Sequence, residues 1–115
     1  MTLPNAVIDW ELAIKCGSNS RAFAEEMFAL LARDLPNELL EIKKEYANNK
    51  IQEFKHRIHK LHGALCYCGA PRLKAATIAL ETAIRSRNYS QIPELLEQFE
   101  YEANELIQQL THLRR

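Results

Sequence analysis

Apolar side chains return at three- and four-residue intervals along almost the whole chain, and nowhere does a two-residue alternation persist. That periodicity is the strongest constraint on the fold, because a 3.6-residue repeat buries one stripe of a helix and cannot line one face of a sheet. Five helical segments follow. A short one spans about 9–15 and carries Trp10. A second runs from about Arg21 to Tyr46 with Phe23, Met27, Leu31, Leu35, Leu39 and Ile42 as its stripe, and Pro36 inside it predicts a kink or short break near Leu35. A third covers about Ile51 to Tyr67, with Phe54, Ile58, Leu61 and Leu65 facing inward. A fourth extends from Pro71 to about Arg85 on Leu73, Ala76, Leu80 and Ile84, with Pro71 suited to a first helical turn. The fifth occupies about Gln91 to His112 on Leu96, Phe99, Ala103, Leu106 and Leu110.

The breaks between these segments are short. Cys16-Gly17-Ser18-Asn19-Ser20 offers capping side chains, Asn48-Asn49 marks a turn, and Gly69-Ala70-Pro71 and Arg87-Asn88-Tyr89-Ser90 supply the others. Amphipathic helices joined by short loops pack beside their neighbours in opposite directions. The expected fold is therefore all-α: an antiparallel up-down four-helix bundle over about 20–112, with a short additional N-terminal helix. The 115 residues suffice for one domain, 1–115, with one core.

Fifteen basic and fifteen acidic side chains cancel, so bulk electrostatics gives no reason to expect a nucleic acid or an anionic membrane as partner. No stretch approaches the roughly 18 apolar residues of a membrane span, and Met1 to Val7 lacks the basic start and apolar run of a signal peptide. Cys16, Cys66 and Cys68 are an odd set in a chain of ordinary core size. Reduced thiols and a cytoplasmic location are expected.

The neutral total conceals an asymmetry. No acid occurs between Glu53 and Glu81, where Lys55, Arg57, Lys60, Arg72 and Lys74 gather with His56, His59 and His62. The fifth helix carries Glu94, Glu97, Glu100, Glu102 and Glu105 without a Lys or Arg from Ile92 to Leu113. At about 100° per residue, Lys55, His56, His62, Gly63 and Cys66 fall within about 60° of His59, while the apolar stripe lies opposite. His59 thus faces away from the core among basic or small neighbours. Gly63, one turn beyond it on the same face, costs about 1 kcal/mol against alanine in a helix; removing a side chain there clears the approach to the imidazole. An imidazole near its ordinary pKa is a competent nucleophile at neutral pH, provided its other nitrogen is held as a proton donor. Glu81 on the fourth helix is a candidate acceptor, and a surface carboxylate is the other reading of that residue.

On spacing alone three classes stand side by side. One is a site that receives an anionic group at His59. Another is a helical interaction module whose solvated face happens to hold histidines. A metal site on His59, His62 and Cys66 is the third, but a structural site needs a fourth ligand, and Cys66 and Cys68 fall on different faces. No metal is expected. Di-iron bundle chemistry lacks its paired Glu-x-x-His motifs, since Glu53 and His56 supply only one copy.

The run His59-Lys60-Leu61-His62-Gly63, continued by Gly69 and by Pro71-Arg72-Leu73, resembles the signature of histidine phosphotransfer (HPt) domains: a histidine, a glycine four residues on, a second glycine six later and an apolar residue four beyond. Together with Ile8-Asp9-Trp10 and Leu35-Pro36, it is closest to the C-terminal HPt domain of BarA/GacS-type tripartite hybrid sensor kinases. The resemblance implies that His59 is the phosphoacceptor, that Gly63 clears space beside it, and that Gly69 is structural. It further implies that Lys60, His62, Lys55, His56 and Cys66 surround the phosphate or partner contact, and that Glu81 orients the imidazole. His62 stands where the wider family often has Lys or Arg. Such domains have no kinase activity of their own, in keeping with the lack of a P-loop pattern here. They relay a phosphoryl group from a receiver-domain aspartate of a hybrid sensor kinase to the aspartate of a response regulator. The Mg²⁺ belongs to the receiver partner, so no cofactor is expected in this chain, and the isolated domain is expected to be a monomer. A non-catalytic or degenerate HPt module is the alternative that this resemblance leaves.

Overall fold

The computed structural model describes residues 7–16 and 19–113. Among them are five α-helices and one 3₁₀ turn and no strand: α1 (Trp10–Cys16), α2 (Arg21–Ala47), α3 (Ile51–Leu65), α4 (Pro71–Arg85) and α5 (Ile92–Leu113), with the 3₁₀ turn at Tyr89–Gln91. Helices α2 to α5 close a ring in which each packs on its chain neighbours and α2 meets α5, and α1 lies against α2. This is the expected bundle with its short preceding helix.

Local chemistry sets the boundaries. Asp9 caps α1, its carboxylate accepting from Leu12 N–H at 3.0 Å, so α1 starts one residue later than the pattern suggested. Ser20 caps α2 by accepting from Phe23 N–H at 3.1 Å; the proposed caps at Gly17 and Ser18 lie outside the described residues. Asn49 closes the far end of α2 in the left-handed region (φ 58°), with Lys50 N–H reaching back to Glu45 O at 2.8 Å. Asparagine tolerates that conformation better than most residues.

Three expectations need correction. Phe23 is 40% exposed, and Ala24 and Phe28 take its place in the buried stripe with Leu31, Leu35, Leu39 and Ile42. The stripe is one position out of phase with Phe23, and the ring falls beside the cap. Helix α2 also runs through Pro36 without a break. Pro36 is exposed while Leu31, Leu35 and Leu39 before and after it are buried, and that burial holds the two halves in one helix. Finally, α3 ends at Leu65 and α5 begins at Ile92, because short turns occupy the flanking residues.

Phe54, Ile58, Leu65, Leu73, Leu80, Phe99 and Leu106 form the centre of the core with essentially no exposed surface. Each contributes about 1.5–3 kcal/mol of hydrophobic stabilisation. Three free thiols are present, and burial first, then the nearby Cys16, pushes the Cys68 thiol up to about 11. Among the described residues no helix is long and apolar enough to cross a membrane.

Gly69 fastens α1 to the bundle. Asp9 N–H donates to Gly69 O at 2.7 Å, and a Cβ on Gly69 would lie 2.1 Å from Asp9 O and 2.7 Å from Ala13 Cβ. Its φ is negative, so the demand is for space and not for an unusual backbone. Gly69→Ala is expected to lose about 1–3 kcal/mol, the usual range for overpacking. Because Trp10 sits edge-on to Phe28 with centroids 5.0 Å apart, urea denaturation followed by both Trp10 fluorescence and circular dichroism will show whether α1 detaches first.

Candidate functional site

Helices α3 and α4 run in opposite directions, joined by the tight turn from Cys66 to Ala70. In that register His59 stands level with Glu81 and Lys55 with Arg85, a step of four residues or about 6 Å along each helix. Glu81 belongs to the buried side of α4, together with Leu73, Thr77, Leu80 and Ile84. Its carboxylate is 8% exposed and reaches across to α3, where Oε2 lies 2.6 Å from His59 Nδ1 and Oε1 lies 2.9 Å from His62 Nδ1. Arg85 Nη2 approaches Oε1 at 3.4 Å from the next turn of α4.

Burial by itself would raise the Glu81 pKa, but the hydrogen bonds from His59 and His62 outweigh it and hold the carboxyl below its ordinary range. At neutral pH it is therefore ionised, and an ionised carboxylate can only accept. Both histidines must then donate through Nδ1–H. A neutral imidazole whose proton is held at Nδ1 carries its lone pair at Nε2. For His59, whose side chain is 70% exposed, that lone pair is presented to solvent; His62 is only 26% exposed.

Gly63 completes the presentation. A Cβ built there meets nothing within 4 Å, so no packing within the chain requires glycine. The open space lies one turn from His59 on the outward face.

The remaining residues divide. Lys60 lies toward α2, beside the His59 face, on a largely apolar groove of about 250 Å³ that Met27, Leu30, Leu31, Leu61 and Ala64 line together with the charged Asp34, Glu38 and Arg57. Lys55 lies toward α4, level with Arg85. His56 and Cys66 are exposed, and no described side chain is hydrogen-bonded to either. The basic cluster read from the sequence is smaller in three dimensions. Arg57 forks onto Glu45 at 2.8 and 3.1 Å and reaches Glu38 at 3.0 Å, chiefly through the Glu45 bond raising its already high pKa. Arg72 is held by Glu102, with Nη2 at 3.1 Å from Oε2. Both cations serve packing between helices, a use that charge counting along the chain does not reveal. The histidines, thiols and carboxylates of the described residues form no group of three arranged to hold a metal ion.

Sequence reasoning found Glu81 but missed that His62 shares it. The signal was there: His59 and His62, three apart, place two ring nitrogens on the side of α3 that turns toward one carboxylate.

Comparisons with known proteins identify the family and the fold. A family profile described as "Hpt domain" matches residues 26–115, and the chain belongs to that family, phosphocarrier modules of two-component phosphorelays without kinase activity of their own. Its relatives include the signal transduction histidine-protein kinase BarA of Shigella flexneri, 33% identical over 96 residues covering 82% of this chain and 10% of that protein. The sensor protein GacS of Pseudomonas syringae pv. syringae is 33% identical over 79 residues, 69% of this chain and 9% of GacS. The chain thus spans about a tenth of the length of the curated relatives it matches. Among solved structures, the HPT domain of a Shewanella Hpt sensor hybrid histidine kinase superposes with a TM-score of 0.81 at 27% identity, covering 93% of this chain and 92% of that one.

Two outcomes test the site's energetics. Gly63→Ala is expected to stabilise the fold by about 0.5–1 kcal/mol, the helix-propensity gain with no steric penalty, measured by urea denaturation. Wild type should exceed Glu81→Gln in stability above the unfolded carboxyl pKa of about 4.3. That margin should vanish as pH falls through the lowered folded pKa, since protonation removes the charge-assisted bonds. Denaturation of both proteins between acid and neutral pH measures it.

Proposed function

We propose that His59 is the phosphoacceptor of this domain, taking a phosphoryl group from a receiver-domain aspartyl phosphate and passing it to the aspartate of a response regulator. The observation that carries the reading is the exposed imidazole whose Nδ1 is held 2.6 Å from a buried carboxylate, so that the neutral ring carries its lone pair at Nε2.

In the forward step the Nε2 lone pair attacks phosphorus, the phosphorus–oxygen bond to the donor aspartate breaks, and that carboxylate departs with the bonding electrons. The Nδ1 proton stays where it is. The ring acquires positive charge as the new bond forms, and Glu81 offsets it across the hydrogen bond. A phosphohistidine that keeps its Nδ1–H leaves as neutral imidazole in the onward step, so neither direction needs a proton to be moved. His62, the second donor to Glu81, fixes the carboxylate in one orientation. The domain's share of the rate is then positioning, with a nucleophile fixed in angle and open to approach. The Mg²⁺ that promotes transfer would be supplied by the receiver. The apolar groove bearing Lys60, beside the open space at Gly63, offers a docking surface for such a partner. This reading places the domain on the cytoplasmic side with those partners.

Incubation with a panel of receiver domains, each phosphorylated on its aspartate, is expected to leave an acid-labile, alkali-stable phosphoryl group on this chain. His59→Gln should accept none; acceptance equal to wild type would overturn the assignment. Glu81→Ala, which frees the ring and its tautomer, should slow transfer about 10- to 100-fold by analogy with loss of partners that orient metal-bound histidines. Replacing Gly63 with Phe should slow transfer while leaving helicity intact.

A further inference from the structure

One helical turn from His59, on the α4 side, a cavity of about 330 Å³ opens between the start of α3 and the end of α4. Its charged lining is entirely cationic, being Lys55, Arg85 and Arg87, with Gln52 and Tyr89 as polar neighbours. No carboxylate lines it. Among the described residues Lys55 and Arg87 have no carboxylate within 4.0 Å, and Arg85 has only Glu81, at 3.4 Å, where the carboxylate is already held by two histidines. In a chain with no net charge, three cations thus gather around one opening whose lining holds no acid.

Arg87 adds an independent observation. It occupies the position just past α4 that terminates the helix, with its own N–H donating to Ile84 O at 3.1 Å and Asn88 N–H donating to Ala83 O at 2.9 Å. Its φ is +58°, the left-handed region in which glycine is the default. The other described non-glycine residues with positive φ, Asn19 and Asn49, are of the type that tolerates it. An arginine there is strained relative to glycine, and its side chain, exposed beside the cavity, makes no ion pair within the described residues that would repay the strain.

We infer that this cationic cavity is a docking subsite for acidic side chains on the receiver domain that exchanges phosphate with His59. The inference rests on the reading of His59 as phosphoacceptor. A protein that brings an aspartyl phosphate to Nε2 of His59 must lie over both flanks of α3. On one flank it meets the apolar groove bearing Lys60, and on the other this opening about 6 Å further along the helix. Surface cations there, Lys55 and Arg87 without a carboxylate partner, attract carboxylates, steer encounter and select among partners, more than they add to the chemical step. Charge complementarity thus points to Asp or Glu on the rim of the receiver's docking face. Arg87 and Lys55 act on recognition, and His59 and Glu81 on transfer.

The test uses the full 115-residue chain and whichever phosphorylated receiver in the panel reacts fastest with it. Arg87→Glu is expected to raise the receiver concentration for half-maximal transfer about tenfold, to leave the rate at saturating receiver within about twofold, and to flatten the salt dependence seen with wild type. Lys55→Glu should raise the same half-saturation concentration. Arg87→Gly separates recognition from folding: relief of the backbone should raise Tm by about 3–6 °C while half-saturation still worsens about threefold. Should both charge reversals leave half-saturation and salt dependence unchanged while His59→Gln still abolishes transfer, the docking subsite is wrong and the phosphoacceptor reading stands. A loss of saturating rate in Arg87→Glu without a change in half-saturation overturns the subsite equally. If His59→Gln accepts phosphate as wild type does, the phosphoacceptor reading fails and the subsite falls with it.

Discussion

A carboxylate taken almost out of water must be compensated by hydrogen bonds or it will protonate, and Glu81 is compensated from a neighbouring helix. Its two oxygens accept from His59 and His62 at 2.6 and 2.9 Å. That double bridge constrains the rotation of α3 about its axis and the register of α3 against α4. It also selects the Nδ1–H tautomer of both rings when they are neutral, because an ionised carboxylate has no proton to give. The same contact therefore ties two helices together and turns Nε2 of the exposed His59 ring away from the carboxylate. Fold and chemistry meet in one buried group.

The charges around that group are sorted by depth. Arg57 and Arg72, which look in sequence like part of one basic field, are half-buried and matched by Glu45, Glu38 and Glu102. The acids of α5 are partly used in the same way, Glu100 by Lys43 and Glu102 by Arg72. What remains outward is a smaller set on two flanks of α3. Lys60 borders an apolar groove against α2, while Lys55, Arg85 and Arg87 border a polar one against α4. The two flanks of α3 therefore differ in character, one lined mainly by apolar side chains and the other polar and cationic.

The two glycines of the motif owe their identity to opposite circumstances. Gly69 has no room for a methyl group, because α1 crosses it within hydrogen-bonding distance of its carbonyl. Gly63 has nothing near it at all. One is fixed by what the chain packs against itself. At the other no contact within the chain calls for glycine, and the helix bears a propensity penalty for it.

The five helices, the α3 stripe of Phe54, Ile58, Leu61 and Leu65, and the outward direction of His59 were legible along the chain. Each follows from a repeat of 3.6 residues, which is a local property of neighbouring residues. The phase error at Phe23 and the unbroken passage through Pro36 show the limit of that locality, since burial against other helices chose the stripe and held the helix together. Glu81 could be named as a candidate from its place on α4. That it holds two histidines, that Arg57 is lost to packing, and that Arg85 and Arg87 join Lys55 across a cavity were decided only by tertiary structure. The reason is physical: these contacts depend on how two antiparallel helices are set against each other, and that setting is the outcome of packing over the whole core rather than of any one segment's sequence.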